Sequence, residues 1–201
     1  MSEHVDTSLP LEYQTEEDRL KIFGFWVLLA AEITLFATLF GTYFTLHHQV
    51  ANGPTQHELF ELKGVMIETI LLLVSSFTCG LAVFSMRNGK KNALLFWFII
   101  TLLLGAGFIF FEVTEFVSYV HDGATIQTSA FLSAFFVLLG THGGHVSFGI
   151  LWGIGLIIQL LTRGLTHSTA RKFFIISIYW HFLDVIWIFI FTFVYLGGMI
   201  K

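Results

Sequence analysis

The sequence predicts an all-α integral membrane bundle of five transmembrane helices, and three observations predict it. Several apolar runs exceed the roughly 18 residues that mark a spanning segment. Only 12% of the 201 residues are charged, against about 25% in an ordinary soluble domain. The Lys and Arg residues also segregate to one side of the topology those runs imply.

The apolar segments run from Ile22 to Leu46, Gly64 to Met86, Ala93 to Val117, Leu132 to Leu156 and Phe173 to Gly197. Each has about 23–25 residues, enough to cross a ~30 Å hydrocarbon core with some tilt. Helices satisfy every backbone group within such a segment, and nothing shows the alternation that a membrane barrel needs. Two prolines and 24 phenylalanines agree with long uninterrupted helices facing lipid. Asn52-Gly53-Pro54, Asn88-Gly89 and Asp122-Gly123 supply turn chemistry between spans. Residues 1–21 form an acidic tail with Glu12, Glu16, Glu17 and Asp18, and residues 22–198 form one membrane domain without a 20–50-residue repeat. The polar start and the length of the first apolar run predict no cleavable signal peptide.

Orientation follows from the cations. Arg19 and Lys21 precede the first span, Arg87, Lys90 and Lys91 follow the second, and Arg163, Arg171 and Lys172 follow the fourth. Lys63 and Lys201 alone fall on the other side. The positive-inside rule therefore predicts a cytoplasmic N-terminus and an outside C-terminus.

Cys79 is the single cysteine, so no internal disulfide, iron–sulfur cluster or thiolate zinc site follows from it. It reads as a small packing residue. Phosphate loops, nucleophile elbows and basic nucleic-acid patches are absent from the sequence. His4, His47, His48, His57, His121 and His167 fall in loops or at interfaces.

Ionisable groups inside a bilayer are costly and usually face a partner or a cavity. Eight lie in the spans: Glu32, Glu68, Glu112, Glu115, His142, His145, His181 and Asp184. At a 1.5 Å rise per residue, Glu32, His142, His145, His181 and Asp184 fall within about 6 Å of their span midpoints. Glu68 and Glu112 lie roughly 10 Å toward the outside, with Glu115 slightly further. Two polar layers, each drawn from several helices, are thus expected. Small residues (Ala37 and Gly41 in the first span, Gly149 and Gly153 in the fourth) are expected to let backbones approach.

Three chemistries suit such layers. The simplest is an interhelical seam in which His142 and His145 meet Glu112 or Glu115, and Glu32 or Asp184 meets a histidine or a hydroxyl. Glu68, Glu112, Glu115, His142 and His145 superficially suggest a carboxylate-bridged metal set, but the Glu-x-x-His pairs of that set are missing. Two opposed histidines such as His145 and His181 could hold a haem, although no spacing demands it. Proton or ion traffic is the third, without a continuous ionisable line to the cytoplasmic side.

The stretch Gly140-Thr141-His142-Gly143-Gly144-His145-Val146, followed by Tyr179-Trp180-His181-Phe182-Leu183-Asp184-Val185-Ile186-Trp187, resembles the signature of subunit III of haem–copper terminal oxidases. Gly24-Phe25-Trp26 and Glu32-Ile33-Thr34-Leu35-Phe36 resemble that family's membrane-embedded glutamate helix. Gly105 to Phe116 resembles its Glu-bearing segment, and Ser129 to Val137 the entry to its histidine helix. The likeness covers essentially everything from Phe23 to Gly198. Mitochondrial-type members have seven helices, and the lack of the first two is the pattern of the bacterial aa3-type quinol oxidase branch. Glu112-x-x-Glu115 fits that branch, since the cytochrome c branch often carries Gln at the first position.

The resemblance implies a non-redox subunit of a quinol:oxygen oxidoreductase in a bacterial cytoplasmic membrane, with menaquinol as the indicated donor. Haems and copper would lie in partner subunits I and II, with a small subunit IV as a further partner and no catalytic residue or metal site in this chain. It further implies bound phospholipids, with Arg163 as a candidate phosphate contact. Glu32, His145, His181 and Asp184 would then position helices against one another and against lipid. The alternatives are subunit III of a cytochrome c oxidase or, in a different class, a stand-alone carrier or bis-histidine haem protein.

Overall fold

The computed structural model describes residues 8–51 and 62–199. The Asn52-Gly53-Pro54 turn, His4, His57 and Lys201 lie outside the described residues. A 3-10 turn, Leu11–Tyr13, leads into α1, Glu16–Leu46. Then come α2, Leu62–Arg87, α3, Lys91–His121, and α4, Ala130–Arg163. The last helix, α5, covers His167–Ile190 and continues through a π-helical turn, Phe191–Leu196, into Gly197–Met199. Among the described residues, five helices are long and apolar enough to cross a membrane.

α1, α4 and α5 start before their apolar cores because side-chain caps begin them. Thr15 accepts from Asp18 N at 3.1 Å, so α1 starts at Glu16, well before the apolar run at Ile22. Ser129 accepts from Leu132 N at 3.1 Å, and Thr166 from Thr169 N at 3.3 Å. Such side-chain oxygens satisfy amide donors that the first turn leaves free. Gly164 ends α4 at φ 73°, a conformation that glycine adopts without steric cost.

α2 and α3 form an antiparallel hairpin with extensive contact, while α5 packs against α2 and α4. In the most apolar stretch of α5, 56% of residues are buried, against 17% for α1. α5 is therefore the centre and α1 the outer member, leaning on α4 and α5. Glycines on α3 and α4 make room for large rings. A Cβ on Gly105 would lie 2.7 Å from the Trp180 ring, and one on Gly149 would lie 3.2 Å from the rings of Trp180 and Tyr179. Gly153 receives Leu102 in the same way. The expectation for α1 differs: Ala37 is exposed, and a Cβ on Gly41 would meet nothing within 4 Å. Among the described residues, those small residues make no close helix contact, because α4 and α5 touch another face of α1.

The polar end of the bundle is clamped by ions. Arg171 pairs with Asp18, linking α5 to α1, and Arg87 donates to Glu12 Oε1 at 2.7 Å. The Arg87 guanidinium also lies 5.7 Å from the centre of the Phe174 ring. Tyr13 meets Phe174 edge-on at 5.4 Å, and burial together with Glu12 raises its phenol pKa while Arg87 lowers it. The acidic segment before the first span is therefore fastened to the basic ends of α2 and α5.

Candidate functional site

Glu32 and His145 meet across the α1–α4 interface. His145 Nε2 lies 3.2 Å from Glu32 Oε2, and the two side chains are 23% and 24% exposed. The alignment does not form a regular hydrogen bond, and Glu32 Oε2 has no hydrogen-bond partner among the described residues. His145 Nδ1 lies 2.7 Å from Thr141 O. A carbonyl only accepts, so Nδ1 carries a hydrogen and Nε2 is the nitrogen turned to the carboxyl. Tyr179 donates to His145 O at 3.0 Å and holds α5 beneath them.

The pair lies on the wall of an open cleft of about 1020 Å³ between α1 and α4. Phe25, Leu28, Phe148 and Trp152 make most of the remaining wall apolar, and Gly140 and Gly144 keep it shallow on α4. A second, nearly apolar groove of about 460 Å³ runs along the other flank of α1, where Trp26 and Ile33 face His181 and Phe182. His181 Nδ1 contacts Ser76 Oγ at 2.7 Å and lies 3.9 Å from Asp184 Oδ2. Asp184 is largely buried, and Ser76 is the hydroxyl within hydrogen-bond reach of its carboxyl. His145 and His181 thus open into separate grooves and do not face one another as haem ligands would.

His142 departs from the expected pairing. It is fully buried, with Nε2 3.2 Å from Leu183 O and its ring against Trp187, Phe108 and Phe36. Residues three apart on a helix point about 60° from one another. That rotation sends His142 into the bundle, toward Leu183 O, and His145 into the cleft, toward Glu32.

Glu112 instead lies against Gly143, whose hydrogen leaves room that a Cβ would deny to the carboxyl. Glu68 and Glu112 are 1% and 3% exposed. Tyr119 donates to Glu115 Oε1, and Tyr195 OH lies 3.5 Å from Glu115 Oε2. Among the described residues, no group of three His, Cys, Asp or Glu side chains is arranged to hold a metal ion. Of these five residues, His142 turns to Leu183 O and His145 to Glu32, apart from Glu112 and Glu115.

Several contributors are not singled out by the sequence. Trp180 Nε1 donates to Ser75 Oγ at 3.0 Å and Trp187 Nε1 to Thr69 Oγ1 at 3.0 Å. Thr78 and Thr101 join α2 to α3 at 2.8 Å. Tyr195 owes its place to the π-helical turn, which apolar periodicity does not announce. Arg163 closes α4 on the exposed surface.

The family description "cytochrome c oxidase subunit III" matches residues 14–199. "Quinol oxidase subunit 3" of Bacillus spizizenii is 60% identical over 198 residues, covering 98% of this chain and 97% of that protein. The protein of the same name from Bacillus subtilis gives the same identity and coverage. "Probable quinol oxidase subunit 3" of Staphylococcus haemolyticus is 52% identical over 191 residues, covering 94% of this chain and 95% of its own length.

Proposed function

Because the chain belongs to the cytochrome c oxidase subunit III family, we propose that it serves as the non-redox third subunit of a proton-translocating quinol:oxygen oxidoreductase. One observation carries the choice of donor: the 60% match to two Bacillus proteins named quinol oxidase subunit 3, over 98% of this chain. Its partners are oxidase subunits I and II, which hold the haems and copper, together with a small subunit IV. The bundle lies in a bacterial cytoplasmic membrane, with the Arg87, Lys90 and Arg163 ends toward the cytoplasm.

What the chain contributes is shape and order. The polar seam is formed by Glu32, His142, His145, His181 and Asp184 near mid-membrane, with Glu68, Glu112 and Glu115 nearer the outer face. Glu32 with His145 sets α1 against α4, and Ser76 with His181 sets α2 against α5. Interhelical hydrogen bonds in lipid contribute only about 0.6 kcal/mol on average, so they fix register more than they add stability. The apolar cleft beside Glu32 offers acyl chains a bed, and Arg163 offers headgroup phosphate a guanidinium.

Replacing Glu32 or His145 by leucine is expected to leave the initial oxidase rate largely intact and to shorten turnover lifetime or lower assembly. Progress curves of oxygen consumption check this. An immediate loss of the haem spectrum in a fully assembled variant complex contradicts the non-redox assignment. Donor preference of the purified complex tests the other half: quinol should sustain oxygen consumption and reduced cytochrome c should not. The reverse preference would assign the chain to a cytochrome c oxidase.

A further inference from the structure

Among the ionisable side chains near mid-membrane, His181 is the one left most open. Its side chain is 44% exposed, against 9% for Asp184. Glu32 and His145, at 24% and 23%, face each other, and His142 is fully buried. His181 Nδ1 is taken up by Ser76 Oγ at 2.7 Å. The other ring nitrogen has no hydrogen-bond partner among the described residues, and the ring lines the groove between α1 and α5. Whichever way the Ser76 bond runs in a neutral imidazole, Nε2 is left with either a hydrogen to donate or a lone pair to fill.

The walls of that groove are regular. Residues between Trp26 and Ile33 on α1 and between Ile178 and Val185 on α5 line it, each set at the i, i+3, i+4, i+7 spacing. One helix presents its face to another at that spacing. The two sets run about two turns, or ~10 Å along each helix. Ala30 is the smallest lining residue and leaves the α1 wall low.

Lipid alone leaves His181 unsatisfied. A residue near the span midpoint lies about 15 Å from either headgroup layer of a ~30 Å core, and an acyl chain carries neither donor nor acceptor. An imidazole nitrogen open to hydrocarbon is costly. A transmembrane helix with a hydroxyl or amide at the same depth supplies both an apolar ridge and the missing bond, since such groups hydrogen-bond between packed helices. We propose that the α1–α5 groove seats a transmembrane helix of a partner oxidase subunit, anchored by a hydrogen bond between its hydroxyl or amide side chain and His181 Nε2. The seat rests on the oxidase reading and adds the surface through which the subunits meet. A helix lodged there covers the least buried of the five spans, since α1 is only 17% buried within the chain. One flank of α1 then meets protein, and the Glu32 cleft on the other flank stays open to acyl chains.

The test is photo-crosslinking in the complex purified through a tag on this chain, with benzoylphenylalanine placed at Ile33 or Val185, which are 55% and 53% exposed. Phe77 on α2 and Leu103 on α3, 68% and 67% exposed, carry the same probe as controls. The groove probes are expected to join this chain to a transmembrane peptide of a partner oxidase subunit that the control probes do not reach. Ala30→Trp, at an exposed position, should fill the groove and lower recovery of the partner subunits while the variant chain keeps its own melting temperature. His181→Leu should lower that recovery about threefold under detergent washing, the factor for one average interhelical hydrogen bond in lipid. His181→Gln, which keeps a hydrogen-bonding group, should retain most of it. Oxidase subunits that still co-purify while the groove probes capture only lipid or quinone overturn the seat and leave the oxidase reading standing. Partner recovery unchanged by Ala30→Trp overturns it as well. A chain recovered without any oxidase subunit overturns the oxidase reading itself, and the seat with it.

Discussion

Arg171→Ala is expected to destabilise the folded chain by about 3–5 kcal/mol, the range for removing one partner of a buried ion pair. Asp18 is 2% exposed and Arg171 8%, and their contact joins the start of α1 to the start of α5. The charge left behind would be Asp18, whose Oδ2 already has no hydrogen-bond partner among the described residues. The alanine also loses the contact of Arg171 Nη2 with Ser168 Oγ at 3.5 Å. Denaturant unfolding in detergent, followed by tryptophan fluorescence, measures the loss. The paired variant Asp18→Asn with Arg171→Gln should recover a large part of it, because neither side then buries a lone charge. A double variant no more stable than Arg171→Ala would show that the pair matters through packing alone.

Trp187→Ala is expected to cost a similar 3–5 kcal/mol for a different reason, the cavity left by a large buried ring. Trp187 is 1% exposed, and its ring centre lies 4.7 Å from Phe108, 5.3 Å from His142 and 6.2 Å from Tyr195. Its indole N–H also donates to Thr69, so the ring joins α5 to α2, α3 and α4 at one level. Trp187→Phe keeps much of the volume and removes that hydrogen bond, and should cost nearer 1–3 kcal/mol. Trp26→Ala is the control: that ring is 55% exposed and its loss should fall within about 0.5 kcal/mol. Equal destabilisation by the Trp26 and Trp187 variants in the same unfolding assay would contradict the central place given to α5.

The five spans were legible because a bilayer imposes a length that short soluble helices do not reach. Their true ends were less so. Apolarity marks Ile22 and Leu156 as limits, whereas Thr15 caps α1 and Gly164 ends α4. Glu32 and His145, both placed near mid-membrane by counting residues, do meet. Height along a helix follows from sequence, but direction around it follows from which neighbour lies there. That is why His142, three residues from His145, bonds to Leu183 O rather than to a carboxyl. Tyr195 was out of reach for a further reason, since a π-helical turn rotates every residue after it away from the regular phase. Ala37 and Gly41 carry the same small-residue signal as Gly149 and Gly153, yet only the α4 pair receives a neighbouring side chain within this chain.

Affinity purification of the tagged chain from membranes in mild detergent, with mass spectrometry of what accompanies it, tests the oxidase assignment most directly. A large multi-span, haem-bearing subunit and a membrane-anchored second subunit should co-purify in fixed proportion. Recovery of this chain alone, intact and folded, would contradict its place as the third subunit of a terminal oxidase.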